Sequence, residues 1–127
     1  ASITYDGTDL NINPKEVGSG KVNIEGTLDT KEGRIVNTTR ITDSGSPYTA
    51  LGTDHVIFCD TDGGAITANL PSGVNGQTYK IINTGTTGNL LTISPNGSEL
   101  LLGANSDSTL IDGESLILTY ETTEGWY

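Results

Sequence analysis

Basic charge, sulfur, helix-forming runs and long apolar stretches are all scarce in this 127-residue chain, and each scarcity excludes something. Six Lys and Arg face sixteen Asp and Glu, for a formal net charge of −10. The cations Lys15, Lys21, Lys31, Arg34, Arg40 and Lys80 are scattered along the chain. A nucleic-acid binder needs them clustered, to displace counterions from phosphates, and an anionic membrane surface makes the same demand. Nucleic acid and membrane insertion are therefore not expected, and the acidity reads as solubility with mutual repulsion between particles. Cys59 is the only cysteine, so no disulfide closes within the chain. Its place in Val56-Ile57-Phe58-Cys59 makes it a small buried hydrophobe. No apolar run nears the ~20 residues of a membrane span. No series of Ala, Glu and Leu recurs at helical spacing. The hydrophobic fraction is 33%, and only with the 17 glycines added does it come level with the roughly 45–50% of average domains, a figure that counts glycine. Such a chain is expected to build only a thin core, with stability borrowed from partner chains.

What fills the chain instead is Thr, Asn, Ser, Asp and 17 glycines, the material of polar-faced strands and tight turns. Residues 1–40 read as a short-stranded segment. Asp9-Leu10-Asn11-Ile12-Asn13 alternates polar and apolar, and Lys21-Val22-Asn23-Ile24-Glu25 repeats the pattern twelve positions later. Gly7, Gly18, Gly20 and Gly26 flank them. Two such strands cannot bury their apolar face alone, whereas stacked copies or rungs of a β-solenoid can. Residues 41–127 read as a second, compact β domain. Tyr48–Leu51, His55–Asp60, Ala65–Leu70, Tyr79–Asn83, Asn89–Ile93, Leu100–Leu102, Thr109–Ile111 and Ser115–Tyr120 are the expected strands. Asp62-Gly63-Gly64, Asn75-Gly76, Pro95-Asn96-Gly97 and Asp112-Gly113 are the turns between them. Signals every eight to twelve residues suit a β-sandwich or small barrel, so the fold class is all-β.

Catalysis finds little footing. The single His55 and the single Cys59 share a strand face but sit about 13 Å apart at ~3.3 Å per residue, beyond the contact a nucleophile and its base require. Asp60 and Asp62 have a spacing that glycoside cleavage tolerates, as do many acid pairs in so acidic a chain. Asp60-Thr61-Asp62-Gly63 opens like a calcium loop, but Ala65-Ile66-Thr67-Ala68 supplies no bidentate acid, and a backbone-bonded turn is the better account. No enzymatic activity, cofactor or metal is expected. The candidate binding residues are Trp126, Tyr127 and Tyr120, as sugar-stacking or interface aromatics. Trp126 has a competing role as an internal plug, which its large apolar area favours.

From Tyr48 to Tyr127 the sequence resembles a β-rich knob module of tail-fibre, spike and appendage proteins of tailed bacteriophages. The resemblance rests on Asp54-His55-Val56-Ile57-Phe58-Cys59-Asp60, on Gly64-Ala65-Ile66-Thr67-Ala68-Asn69-Leu70-Pro71 and on Gly76-Gln77-Thr78-Tyr79-Lys80-Ile81. Leu91-Thr92-Ile93-Ser94-Pro95-Asn96-Gly97-Ser98-Glu99 and the ending Gly125-Trp126-Tyr127 extend it. His55 departs from the aromatic expected at its position. The opening Ile3-Thr4-Tyr5-Asp6-Gly7-Thr8-Asp9-Leu10 looks like the shaft segments that precede such modules, and Gly26-Thr27-Leu28-Asp29 is shaft-like too. The resemblance implies a homotrimeric virion structural protein on the extracellular particle. It would join other virion proteins and contribute to host attachment through a surface glycan or protein. A head or neck appendage or decoration protein is an alternative placement, and a monomeric carbohydrate-binding β-sandwich module is the alternative function.

Overall fold

The structure, a computed structural model, describes residues 2–5, 7–8, 10–13 and 22–127. Asp6, Asp9, Lys15, Gly18, Gly20 and Lys21, which entered the reading of the first segment, lie outside the described residues. The chain divides into two compact units, Ala1–Arg34 and Ile35–Tyr127.

In the first unit, β1 (Ser2–Tyr5) and β2 (Leu10–Asn13) form an antiparallel pair with Ile3 opposite Ile12 and Tyr5 opposite Leu10. Directly opposed residues share a face, and so do residues two apart, so all four apolar side chains project from one side of the hairpin. They are 72%, 71%, 64% and 50% exposed for Ile3, Tyr5, Leu10 and Ile12, so no described residue of this unit covers them. The expected second alternating strand does not form: Val22–Glu25 has no strand partner, and Val22 and Ile24 are half exposed. No described residue of this unit is buried.

The second unit is built from nine strands: β3 (Thr38–Thr42), β4 (Tyr48–Thr49), β5 (Val56–Asp60), β6 (Ile66–Asn69), β7 (Thr78–Asn83), β8 (Leu91–Ser94), β9 (Ser108–Leu110), β10 (Ser115–Glu121) and β11 (Gly125–Trp126). Burial alternates with period two along β5, β6, β7 and β8, as strands with one inward face require, whether the sequence itself alternates, as in β6 and β8, or runs continuously apolar, as in β5. The pairing, however, is not that of consecutive hairpins. β3, β5 and β7 pair in parallel in one sheet, and β4, β6 and β8 pair in parallel in the other. The chain thus passes from one sheet to the other at every step and climbs one strand per circuit, as a flattened coil does. Thr38, Val56 and Lys80 stack on one wall, and Ile66 and Leu91 on the other. The coil ends by reversal: β9 runs antiparallel to β8, β10 to β7, and β11 to β10.

The result is a five-stranded sheet, β11-β10-β7-β5-β3, and a four-stranded sheet, β4-β6-β8-β9. Both are mixed and open, with β3, β11, β4 and β9 left as edges, so the small-barrel expectation is corrected: neither sheet closes on itself. Asp62-Gly63-Gly64 does turn the chain, yet it delivers β6 to the opposite sheet. Leu100–Leu102 forms no strand. Leu101 bridges to Ala104 and to Trp126, and the chain turns through Leu102 at φ 53° and Gly103 at φ 88°.

Inward residues of both sheets share one core. Ile57, Cys59, Tyr79, Ile81, Leu91, Ile93, Leu118 and Trp126 have no exposed surface at all. Burying each Ile or Leu stabilises the unit by about 1.5–3 kcal/mol. The expectation of a core too thin to stand alone is therefore corrected for this unit, because strict alternation places nearly every inward residue against another. Polar groups close the ends. Thr61 donates to Asn83 Oδ1 at 2.8 Å, and Asn83 Nδ2 donates to the Leu110 carbonyl at 3.0 Å. Asn89 Nδ2 donates to the Thr61 carbonyl at 2.8 Å. Among the described residues, no helix is long and apolar enough to cross a membrane.

Candidate functional site

The candidate aromatics Tyr120 on β10, Trp126 on β11 and Tyr127 just after it lie close in sequence, and the structure gives each a different place. Gly125 sets the corner. Its φ is +88°, and a Cβ there would lie 2.5 Å from the Leu100 carbonyl oxygen, so only glycine fits on both counts. This bend turns Trp126 inward, where its ring stands 5.6 Å from Tyr79 and 5.1 Å from Tyr120, both tilted. The indole N–H donates to Glu99 Oε2 at 3.1 Å. With no exposed surface, Trp126 is the internal plug, and its reading as a surface contact is corrected. Tyr120 is half-buried: its ring lies where a Cβ on Gly73 would sit, 2.2 Å from the nearest ring carbon. Tyr127 is 52% exposed and exchanges both backbone hydrogen bonds with Thr119.

Beside Tyr120 opens a cleft of about 230 Å³, lined by Ser98, Glu99, Leu100, Tyr120, Thr122 and Thr123. Its one carboxylate is committed. Glu99 Oε1 accepts the Gly73 N–H at 2.8 Å while Oε2 holds the indole. Beside Glu99 the cleft is lined by the Tyr120 ring and by the hydroxyl-bearing Ser98, Thr122 and Thr123. Glu99 and Gly73 drew no expectation of a role, because their partners lie 27 and 26 or more residues away and no local pattern marks them.

A second polar constellation joins the two sheets. Asp54, 4% exposed, accepts from Thr39 Oγ1 on β3 at 2.6 Å, from Tyr48 OH on β4 at 2.7 Å and from the Leu51 N–H at 2.8 Å. Burial pushes its pKa up, but these three donors outweigh burial and hold it below the ordinary 3.8. Tyr48 is pushed up to about 12, by burial first and then by the Asp54 carboxylate it donates to. Tyr79 OH donates to the Leu51 carbonyl at 2.9 Å, and burial followed by the Asp54 charge raises its pKa too. All of these polar atoms are spent on one another, which makes the cluster a pin between sheets.

The residues weighed for catalysis are kept apart from such work. Cys59 is fully buried, and burial pushes its thiol up to about 12, the reverse of an activated nucleophile. His55 precedes β5, half-buried, and its carbonyl accepts the Lys80 N–H. Asp60 pairs with Arg40 across the parallel strands and caps the Asp62 N–H. Asp62 Oδ1 accepts from the Thr86 N–H at 2.6 Å and from its hydroxyl at 3.0 Å. The Asp60–Gly64 loop thus spends its acids on backbone and neighbouring loops. Among the described residues, no group of three His, Cys, Asp or Glu is placed to hold a metal ion.

Compared with known proteins, the chain matches no family model and no curated protein sequence.

Proposed function

We propose that the chain is a virion structural protein, a domain of a trimeric tail fibre or appendage that contributes to host-surface attachment. The observation that carries this reading is the first unit. Its hairpin gathers Ile3, Tyr5, Leu10 and Ile12 on one exposed face, and none of its described residues is buried. A two-stranded sheet is marginal in water, and one that also exposes its whole apolar face gains stability only when other chains cover it. Copies of the same chain around an axis supply that cover, and the resemblance of residues 48–127 to phage knob modules points the same way.

One observation favours a second reading, a monomeric carbohydrate-binding module. The second unit completes its own core, and the Tyr120 cleft has the aromatic edge and hydroxyls that sugars engage. Light scattering of the purified full chain separates the two. A mass three times the 13.3 kDa chain is expected. A species of one chain across the working concentration range overturns the fibre reading in favour of the module.

A further inference from the structure

The two sheets of the second unit have outer faces of opposite character. On the four-stranded sheet, the outward positions are Thr67, Thr92 and Thr109 in one cross-strand row and Thr49, Asn69 and Ser94 in the next. This is the polar surface an antiparallel or mixed sheet shows to water. On the five-stranded sheet, the outward rows are Ile117-Lys80-Val56-Thr38 and Ser115-Ile82-Phe58-Arg40. Tyr127 adds to this face through its pairing with Thr119. Ile117 is 60% exposed and Tyr127 52%, and the only Phe of the chain points outward here too.

Charge divides the same way. The second unit has two cations, Arg40 and Lys80, against ten carboxylate side chains, and both cations stand on this face. Arg40 is matched by Asp60. Lys80 lies half-buried between Val56 and Ile117 and has no ion-pair partner among the described residues. An ammonium group partly screened from water by apolar neighbours is stabilised by an approaching carboxylate. The other nine carboxylate side chains of this unit have no ion-pair partner among the described residues, and none stands in the outer rows of the four-stranded sheet.

From this we infer that the outer face of the five-stranded sheet is a seam of the assembly, covered by the acidic surface of a second copy of the chain. The inference rests on the trimeric reading and deepens it. Contacts in a ring of three are heterologous, each copy offering one face to a different face of its neighbour. A surface that is apolar with an unmatched Lys, on a unit otherwise acidic, has that complementarity built in. The seam explains why Ile117, Phe58 and Ile82 occupy positions that the opposite sheet fills with Thr, Asn and Ser.

The test is sedimentation of the full-length chain across a dilution series, for Lys80→Glu, Ile117→Asp and a control, Thr92→Glu, on the opposite face. Circular dichroism and thermal melting check that each variant folds. Lys80→Glu and Ile117→Asp are each expected to raise the dissociation concentration of the trimer by roughly tenfold or more, since like charge or a desolvated acid at a seam opposes association. Thr92→Glu is expected to leave it unchanged. Should Ile117→Asp fail to fold, Lys80→Glu decides alone. A wild-type trimer that both variants match in strength overturns the seam and leaves the trimer standing. A wild-type chain that stays monomeric overturns both. Variants that keep the trimer but lose adsorption to host cells overturn the seam by assigning the face to an external partner.

Discussion

Asp54 stands where burial and hydrogen bonding compete most directly. A carboxylate 4% exposed pays for desolvation only if its lone pairs are met, and here Thr39, Tyr48 and Leu51 meet them. Asp54→Ala strands three donors and is expected to cost about 2–4 kcal/mol in urea unfolding. Asp54→Asn keeps one oxygen for Tyr48 and Leu51 and turns its amide toward Thr39, whose hydroxyl reverses to accept, so about 1 kcal/mol is expected. The two also differ from wild type with pH. Because the folded carboxylate titrates below 3.8, its contribution is complete above that value and is lost as pH falls through the folded pKa. Asp54→Asn is expected to flatten that part of the acid limb, and an unchanged acid limb would count against the pin. At the other extreme Tyr48, raised from 10 to about 12, contributes stability that is whole below pH 10 and is lost toward pH 12. Leu102 is a different kind of residue, the one non-glycine with positive φ among those described. It is 48% exposed, so little packing depends on it, and Leu102→Asn is expected to gain about 0.5–1 kcal/mol by relieving left-handed strain. A lower melting midpoint for that variant would show that the Leu side chain is held by contacts stronger than the strain.

At the level of elements, strands were legible and their partners were not. The alternation in Ile66–Asn69 and Leu91–Ser94 fixes a strand and its inward face without reference to anything distant. Turn chemistry is equally local: Gly76, Gly97 and Gly113 take the positive φ that their dipeptides announce. Neither signal says which strand comes next to which, because a turn fixes dihedral angles while pairing is decided by how inward faces meet across the core. Hence Asp62-Gly63-Gly64 was legible as a turn but not as a step between sheets. The same holds at the site. Trp126 as plug followed from its size alone, whereas Glu99 and Gly73 matter only through residues remote in sequence. The link between β7 and β8 shows how tightly such steps are fitted. A Cβ on Gly85 would lie 2.0 Å from Thr61 Oγ1 and 3.1 Å from Asn83 Oδ1, inside the polar network that closes the core. Gly85→Ala is expected to cost about 1–3 kcal/mol. Gly52→Ala, which meets open space at an ordinary φ, is expected to be neutral or slightly stabilising. Equal melting midpoints for the two variants would mean that the loop moves aside at no cost.

For the molecule as a whole, the two units make opposite demands, and the chain carries a probe that separates them. Trp126 is its only tryptophan and sits in the core of the second unit, so its fluorescence follows that unit alone. The second unit buries its own inward faces. The first exposes Ile3, Tyr5, Leu10 and Ile12 together. Placing carboxylates in that face, as Ile3→Asp with Ile12→Asp, sets two like charges directly opposite on the hairpin and removes its apolar centre. If copies cover the face, the variant is expected to fall from the trimer mass to that of a single chain at concentrations where the wild type holds together. Because the second unit needs no partner to fill its core, the Trp126 signal is expected to keep one cooperative urea transition in the same variant. Assembly that survives both carboxylates would place the contacts between copies outside the hairpin. A Trp126 transition that broadens or vanishes would show that the coil of β3 to β8 draws its order from neighbouring chains after all.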